Sequence, residues 1–262
     1  LSFIPPVRIG TAPTLKVAHE PPSLESRAGY KLVNVLFCVA RLCQYVLPHH
    51  IHAHCGKGQI DAVLSDIGAD SIKIGMLHSA EVVQCVARML RKYDIKDVVL
   101  DPVMVSTSGH KLIEDSAIEV LKTELMPMAR VITPNIPEAE ILLGESISKQ
   151  GDLPDAARRL AEKYGVSVLL KAGHLVNDEL IDIFYNHETE EVVELSASRV
   201  DTRNTHGTGC TLSSAFAAAL ARGEGLTAAA ASAKAYIEQA IISGAEYEIG
   251  GGHGPVNHFW KI

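Results

Sequence analysis

Between Asn204 and Cys210 the chain reads NTHGTGC and runs straight into Thr211 to Ala221, an Ala-rich stretch of helical character. The two glycines let the backbone turn tightly and come close to a ligand. The free N–H groups and positive dipole at the start of a helix attract an anion such as phosphate. The loop lacks the Gly-x-x-x-x-Gly-Lys-Ser/Thr spacing of a Walker A motif, and glycine-rich helix entries also occur with no ligand. Cys210 falls in the first turn, where the dipole favours a thiolate able to act as base or nucleophile. The competing reading is the usual one for cysteine, a small buried hydrophobe.

Three other residues carry two readings each. Asp101, ending a β-branched run, is either a cap for the next loop or a magnesium ligand facing a phosphate cleft. Glu138, at the start of a helix, has the same pair of readings. Lys171 is a phosphate clamp or a solvated strand end.

These residues need a frame, and the pattern supplies one. From residue 60 onward, short β-branched runs alternate with segments of helical period, as in a parallel sheet covered by helices. Strands are predicted at Ser71 to Gly75, Asp97 to Asp101, Arg130 to Thr133 and Val166 to Lys171. A helix is predicted from Ser79 to Tyr93, with Ser79 as its cap, and Ser116 with Glu119 reads as a capping box ahead of Ile118, Leu121 and Leu125. Pro137 suits a first helical turn; Gly144 and Gly165 end the helices before them. Leu180 to Tyr185 and Glu191 to Leu195 read as an edge hairpin, and Thr208 to Ala221 and Thr227 to Ser243 as closely packed Ala-rich helices. Parallel strands joined by right-handed crossovers bring their C-terminal ends to one rim, so Gly75 and Met76, Asp101, Thr133 to Asn135 and Lys171 to His174 converge there.

Composition narrows the function. The 262 residues are 47% hydrophobic, enough for a sizeable core, and the net charge of −7 without a basic run argues against nucleic acid or an anionic membrane as partner. No apolar stretch approaches the roughly 18 residues of a membrane span. Five scattered cysteines in a chain of this size favour a reducing compartment, and no secretory signal is visible, so the expected location is cytoplasmic.

Six motifs, in this order, resemble the hydroxymethylpyrimidine/phosphomethylpyrimidine kinases of thiamine biosynthesis. They are Ile72 to Met76 (IKIGM), Val99 to Met104 (VLDPVM), Thr133 to Glu138 (TPNIPE), Leu170 to His174 (LKAGH), Asn204 to Cys210 (NTHGTGC) and Gly252 to Val256 (GHGPV). The resemblance covers about residues 60–262. It implies an α/β ribokinase-like fold, a three-layer α/β/α sandwich with a mostly parallel central sheet and an edge hairpin. It also implies ATP- and Mg2+-dependent phosphorylation of 4-amino-5-hydroxymethyl-2-methylpyrimidine and then of its monophosphate, by a protein that pairs as a homodimer. On the same ground Cys210 is the catalytic base, and Gly207, Thr208 and Gly209, with Thr205 and Lys171, form the anion hole. Asp101 and Glu138 belong to the magnesium network, Met76 and Val105 line the pyrimidine pocket, and His253 lies near the nucleotide.

Residues 1–59 depart from the family. Its opening strand, glycine turn, pyrimidine-binding Asp and Gln-Asn pair are not recognisable, as though the segment were frame-shifted or misjoined. That departure opens the alternatives of a nucleotide-binding pseudo-enzyme or a pyridoxal kinase. Lys31 to Leu47 is apolar enough for a buried helix or strand, with Leu32, Val35, Leu36, Val39 and Leu42 at helical spacing. His49, His50, His52, His54 and Cys55 have zinc-binding types but not the paired spacing of a structural site, which favours a solvated segment.

Overall fold

The computed structural model describes residues 32–33, 53–105, 112–173 and 179–260. The histidine-rich run, with the His54 and Cys55 side chains, His174, and Lys31 to Leu47 apart from Leu32 and Val33 lie outside what is described. Seven strands form one sheet in sequence order: β1 (Leu32–Val33), β2 (Ser71–Ile74), β3 (Val98–Leu100), β4 (Val131–Ile132), β5 (Ser167–Leu170), β6 (Glu179–Asn186) and β7 (Glu191–Ser198). β1 to β5 pair in parallel; β6 and β7 are antiparallel and close one edge as a hairpin, matching the sequence expectation.

The sequential strand order fixes the layers. Right-handed crossovers between successive parallel strands put every connecting helix on one face. These are α1 (Ala53–Asp66), α2 (Ala80–Lys92), α3 (Asp115–Val120), α4 (Ile136–Leu143) and α5 (Leu153–Tyr164). Helix α1 runs through residue 59. The second face is left to the last two helices, α6 (Thr208–Ala221) and α7 (Leu226–Gly244), within a residue of their predicted ends.

Strand side chains alternate accordingly. Ile72, Ile74, Val98, Leu100, Ile132, Val168 and Leu170 enter the core under α1–α5, while Val99, Val131 and Leu169 enter the one under α6 and α7. The second core rests on small residues, among them Ala217, Ala219, Ala229, Ala230 and Ala233, with Phe216 tilted against Phe184 at 5.8 Å between ring centroids. Among the described residues no helix is long and apolar enough to cross a membrane.

Two capping expectations fail. Ser79 occupies the N-cap of α2, but its hydroxyl makes no capping bond. Ser116 and Glu119 form no capping box, because α3 begins at Asp115 behind the extended Glu114 and carries Ser116 inside its first turn. The segment then continues as a π-helical turn, Leu121–Leu125. The box that does form was read only as a Pro137 helix start: the Asn135 side chain accepts from the Glu138 amide, and Glu138 returns the bond to the Asn135 amide.

Candidate functional site

The rim expected from the topology exists, and its centre is a buried carboxylate. Asp101, directly after β3, is 1% exposed. Its Oδ1 accepts from Thr133 Oγ1 at 3.0 Å and from Lys171 Nζ at 2.9 Å; its Oδ2 accepts from Ser213 Oγ at 3.3 Å and lies 3.8 Å from Lys73 Nζ. Four parts of the chain therefore converge on one side chain: β2, the residue after β4, the residue after β5, and α6. Burial raises the Asp101 carboxyl, but the ammonium groups of Lys171 and Lys73 and the bonds from Lys171 and Thr133 outweigh it, so it sits below its ordinary value. Burial likewise lowers the Lys171 ammonium, yet the charges of Asp101 and Glu138, and then Cys210, carry it above its usual value.

The loop before α6 lies over this carboxylate. Gly207 is left-handed at φ +86°, a conformation that favours glycine, and swings the chain into the helix. A Cβ on Gly209 would lie 3.3 Å from Lys171 Nζ and 4.0 Å from Asp101 Oδ2, so the first turn abuts the charged pair. Thr208 N–H donates to the Thr205 carbonyl at 3.4 Å and Thr211 N–H to the Gly207 carbonyl at 2.9 Å. Among the described residues the Gly209 and Cys210 amides make no backbone hydrogen bond. Cys210 is exposed, which removes the reading of a buried hydrophobe; among the described residues the buried cysteine is Cys85. The mouth of α6 thus presents unpaired amides, a thiol and a lysine together, a combination suited to an anion and to proton transfer beside it.

Glu138 also lies at this rim, 2% exposed in the first turn of α4. Its Oε2 accepts from the Asn135 amide at 2.8 Å and its Oε1 from the Met104 amide at 3.4 Å. Burial pushes its carboxyl up to about 7, against Lys171 and with Asp101 adding to the rise. The folded chain therefore keeps a proton on Glu138 that the unfolded chain has lost, and stability falls as pH rises from roughly 4.5 to 7, by about 3 kcal/mol in all. In urea unfolding across pH 4.5 to 8, Glu138→Gln should gain on the parent by about that amount. A difference that stays constant with pH would contradict the assignment.

The remaining predicted residues are spread around this centre. Met76 follows β2 and Val105 the loop after β3, both half-buried. Thr205 is exposed at the start of the glycine loop. His253 is exposed, with Nδ1 3.2 Å from the Arg203 carbonyl, beside that loop. Among the described residues no group of three or more His, Cys, Asp and Glu gathers as a metal site. Asp101 and Glu138 supply hard carboxylate oxygens of the type Mg2+ takes, but all four oxygens already hold protein donors or face Lys73.

Sequence reasoning missed several supporting residues. Ser213, one turn beyond Gly209, reaches Asp101 from within the Ala-rich helix. Asp182 on β6 accepts from the Ala172 amide at 2.7 Å and from Lys234 at 2.6 Å, fixing the turn that carries Lys171. Asn204, 1% exposed, donates through Nδ2 to the carbonyls of Gly244, Ala245 and Tyr247 and so ties the glycine loop to the end of α7. Lys73 carried a signal in plain view, a cation between two buried isoleucines.

Comparison with known proteins agrees with this arrangement. The profile of the family described as phosphomethylpyrimidine kinase matches residues 42–257. A hydroxymethylpyrimidine/phosphomethylpyrimidine kinase of Rhizobium meliloti is 43% identical over 217 residues, covering 80% of each chain. A thiamine biosynthesis bifunctional protein of Geobacter sulfurreducens is 46% identical over 200 residues, 76% of this chain and 40% of that longer one. Among solved structures, an ADP complex of Bacillus subtilis pyridoxal kinase superposes with a TM-score of 0.71 at 32% identity, over 79% of this chain and 77% of that one.

Proposed function

The chain belongs to the phosphomethylpyrimidine kinase family, and from that premise we propose that it transfers the γ-phosphoryl group of ATP to the hydroxymethyl oxygen of 4-amino-5-hydroxymethyl-2-methylpyrimidine, and then phosphorylates the monophosphate. The observation that carries the reading is the exposed Cys210 beside unpaired helix-mouth amides and Lys171.

In this mechanism the alcohol oxygen attacks the γ-phosphorus, the bond from phosphorus to the bridging oxygen breaks, and ADP leaves. The Cys210 sulfur receives the hydroxyl proton. Gly207, Thr208 and Gly209, with Thr205 at the loop entry, hold the moving phosphoryl oxygens, and Lys171 turns from Asp101 toward them. Such a transfer depends on positioning and charge stabilisation more than on covalent chemistry, so an acidic protein performs it with local cations and a helix terminus. Asp101 and Glu138 would hold Mg2+, which would neutralise phosphate charge. Met76 and Val105 border the pyrimidine and His253 the nucleotide. Residues 60–262 carry the motifs of the kinase domain, residues 1–59 are a segment of different character that still contributes β1 and the first part of α1 to the fold, and the protein acts as a homodimer.

The test is ADP release in a coupled assay with ATP, Mg2+ and the hydroxymethylpyrimidine. Saturable, pyrimidine-dependent ADP formation is expected; ADP binding with no turnover would instead identify a pseudo-enzyme. The likeness to pyridoxal kinase gives a second reading, and faster turnover of pyridoxal than of the pyrimidine would favour it.

A further inference from the structure

Lys73 is the least expected residue of the sheet. It stands in β2 in register with Val99, and Val99 with Val131, two apolar residues of the core beneath α6, with Ser167 next in the row. Its side chain is 0% exposed and its Nζ has no hydrogen-bond partner among the described residues; its nearest counter-ion is Asp101 Oδ2 at 3.8 Å. An ammonium fully removed from water and not hydrogen-bonded is costly, and an apolar side chain at this place in the row would avoid the penalty.

Local geometry makes deliberate room for it. Residues two apart in a strand share a face, and the lysine stem lies along β2 over position 75. A Cβ on Gly75 would come within 2.9 Å of Lys73 Nζ. A side chain there would press on the ammonium at the place from which it faces Asp101.

The groups around Asp101 differ in freedom. Thr133 and Ser213 are neutral donors, Glu138 is a buried acid, and Cys210 lies beyond Lys171. Of the two cations, Lys171 is partly exposed, at 15%, and adjoins the helix mouth, whereas Lys73 has no route to solvent. Resting on the kinase reading above, we infer that Lys73 is a positioning residue for the transfer, a fixed countercharge that holds the Asp101 carboxylate in place when Lys171 leaves it for the phosphoryl group. Without it Lys171 is, among the described residues, the only cation facing Asp101 and stays bound there.

Two measurements test this. Lys73→Met keeps the stem and removes the charge; kcat should fall roughly 10- to 100-fold, the usual effect of losing a partner that orients a site carboxylate, with KM for ATP and for the pyrimidine nearly unchanged. The second is a double-mutant cycle in urea with Asp101→Asn, Lys73→Met and the pair. Asp101→Asn leaves a buried unpaired ammonium, so adding Lys73→Met should restore part of the lost stability. A folded Lys73→Met with kcat within about twofold of the parent, or strictly additive unfolding energies, overturns the inference. Should Lys73→Met alone not fold, a pair no more stable than Asp101→Asn overturns it as well. The cycle needs no turnover, so a protein inactive on every substrate would sink the kinase reading while the unfolding energies still decide the role of Lys73.

Discussion

Cys210→Ser loses about 10²- to 10⁴-fold in kcat and retains nucleotide affinity, the range expected when a positioned proton acceptor is replaced by a much weaker one of similar size. The structure explains why the loss should fall on turnover. The loop that would hold phosphate is backbone, and the open amides of Gly209 and residue 210 at the helix mouth are both kept by serine. Cys210 is exposed, so the change neither opens a cavity nor removes a buried contact. Lys171 and Asp101 keep their bond to one another. Calorimetry with ADP should give a dissociation constant within a few-fold of the parent while single-turnover phosphorylation slows by orders of magnitude. Equal turnover would remove the thiol from the mechanism and leave a site that works by phosphate positioning alone.

Gly254→Ala should be the most damaging single methyl group in the described structure. The added Cβ would lie 2.0 Å from Asn204 Oδ1 and 2.8 Å from its Cγ. Asn204 has nowhere to retreat without breaking its bonds to the Gly244, Ala245 and Tyr247 carbonyls. Overpacking together with three lost bonds to carbonyls, the buried one of Gly244 among them, costs about 3–5 kcal/mol. For a chain of this size that lowers Tm by roughly 10 °C. The glycine loop is tied to the same place, since the His206 amide donates to the Gly254 carbonyl and His206 pairs with Pro255, so activity at a permissive temperature should fall as well. Asn204→Ala loses the bonds without the clash. The double variant should be less destabilised than the sum of the singles; additivity in thermal melts would show that the two residues do not collide.

What the sequence disclosed was what depends on local pattern. Strand–helix alternation located β2 to β5, the hairpin and α6 and α7 to within a few residues, because each is a run whose period matches its burial. The rim followed from chain direction alone. Ser116 and Glu119 misled because a capping-box spacing says nothing about where the preceding chain leaves extended geometry, and Glu114 does so two residues too early for them. The cluster around Asp101 was half legible. Lys171 and Asp101 stood at strand ends, where chemistry is expected, whereas Ser213 and Lys73 reach the same carboxylate from inside a helix and a strand. Their roles depend on contacts across 112 residues in one case and 28 in the other, which no local period encodes.

The two sides of the sheet also differ in when they can be completed. Helices α1 to α5 are interleaved with the strands they cover, so that half can assemble as the chain leaves the ribosome. The opposite side stays bare until residues 208–244 have emerged, and those residues carry the exposed thiol and the open helix-mouth amides. A nascent chain thus exposes Val99, Val131, Leu169 and Phe184 to solvent late into its synthesis, and the step that shields them from aggregation is the one that switches the protein on.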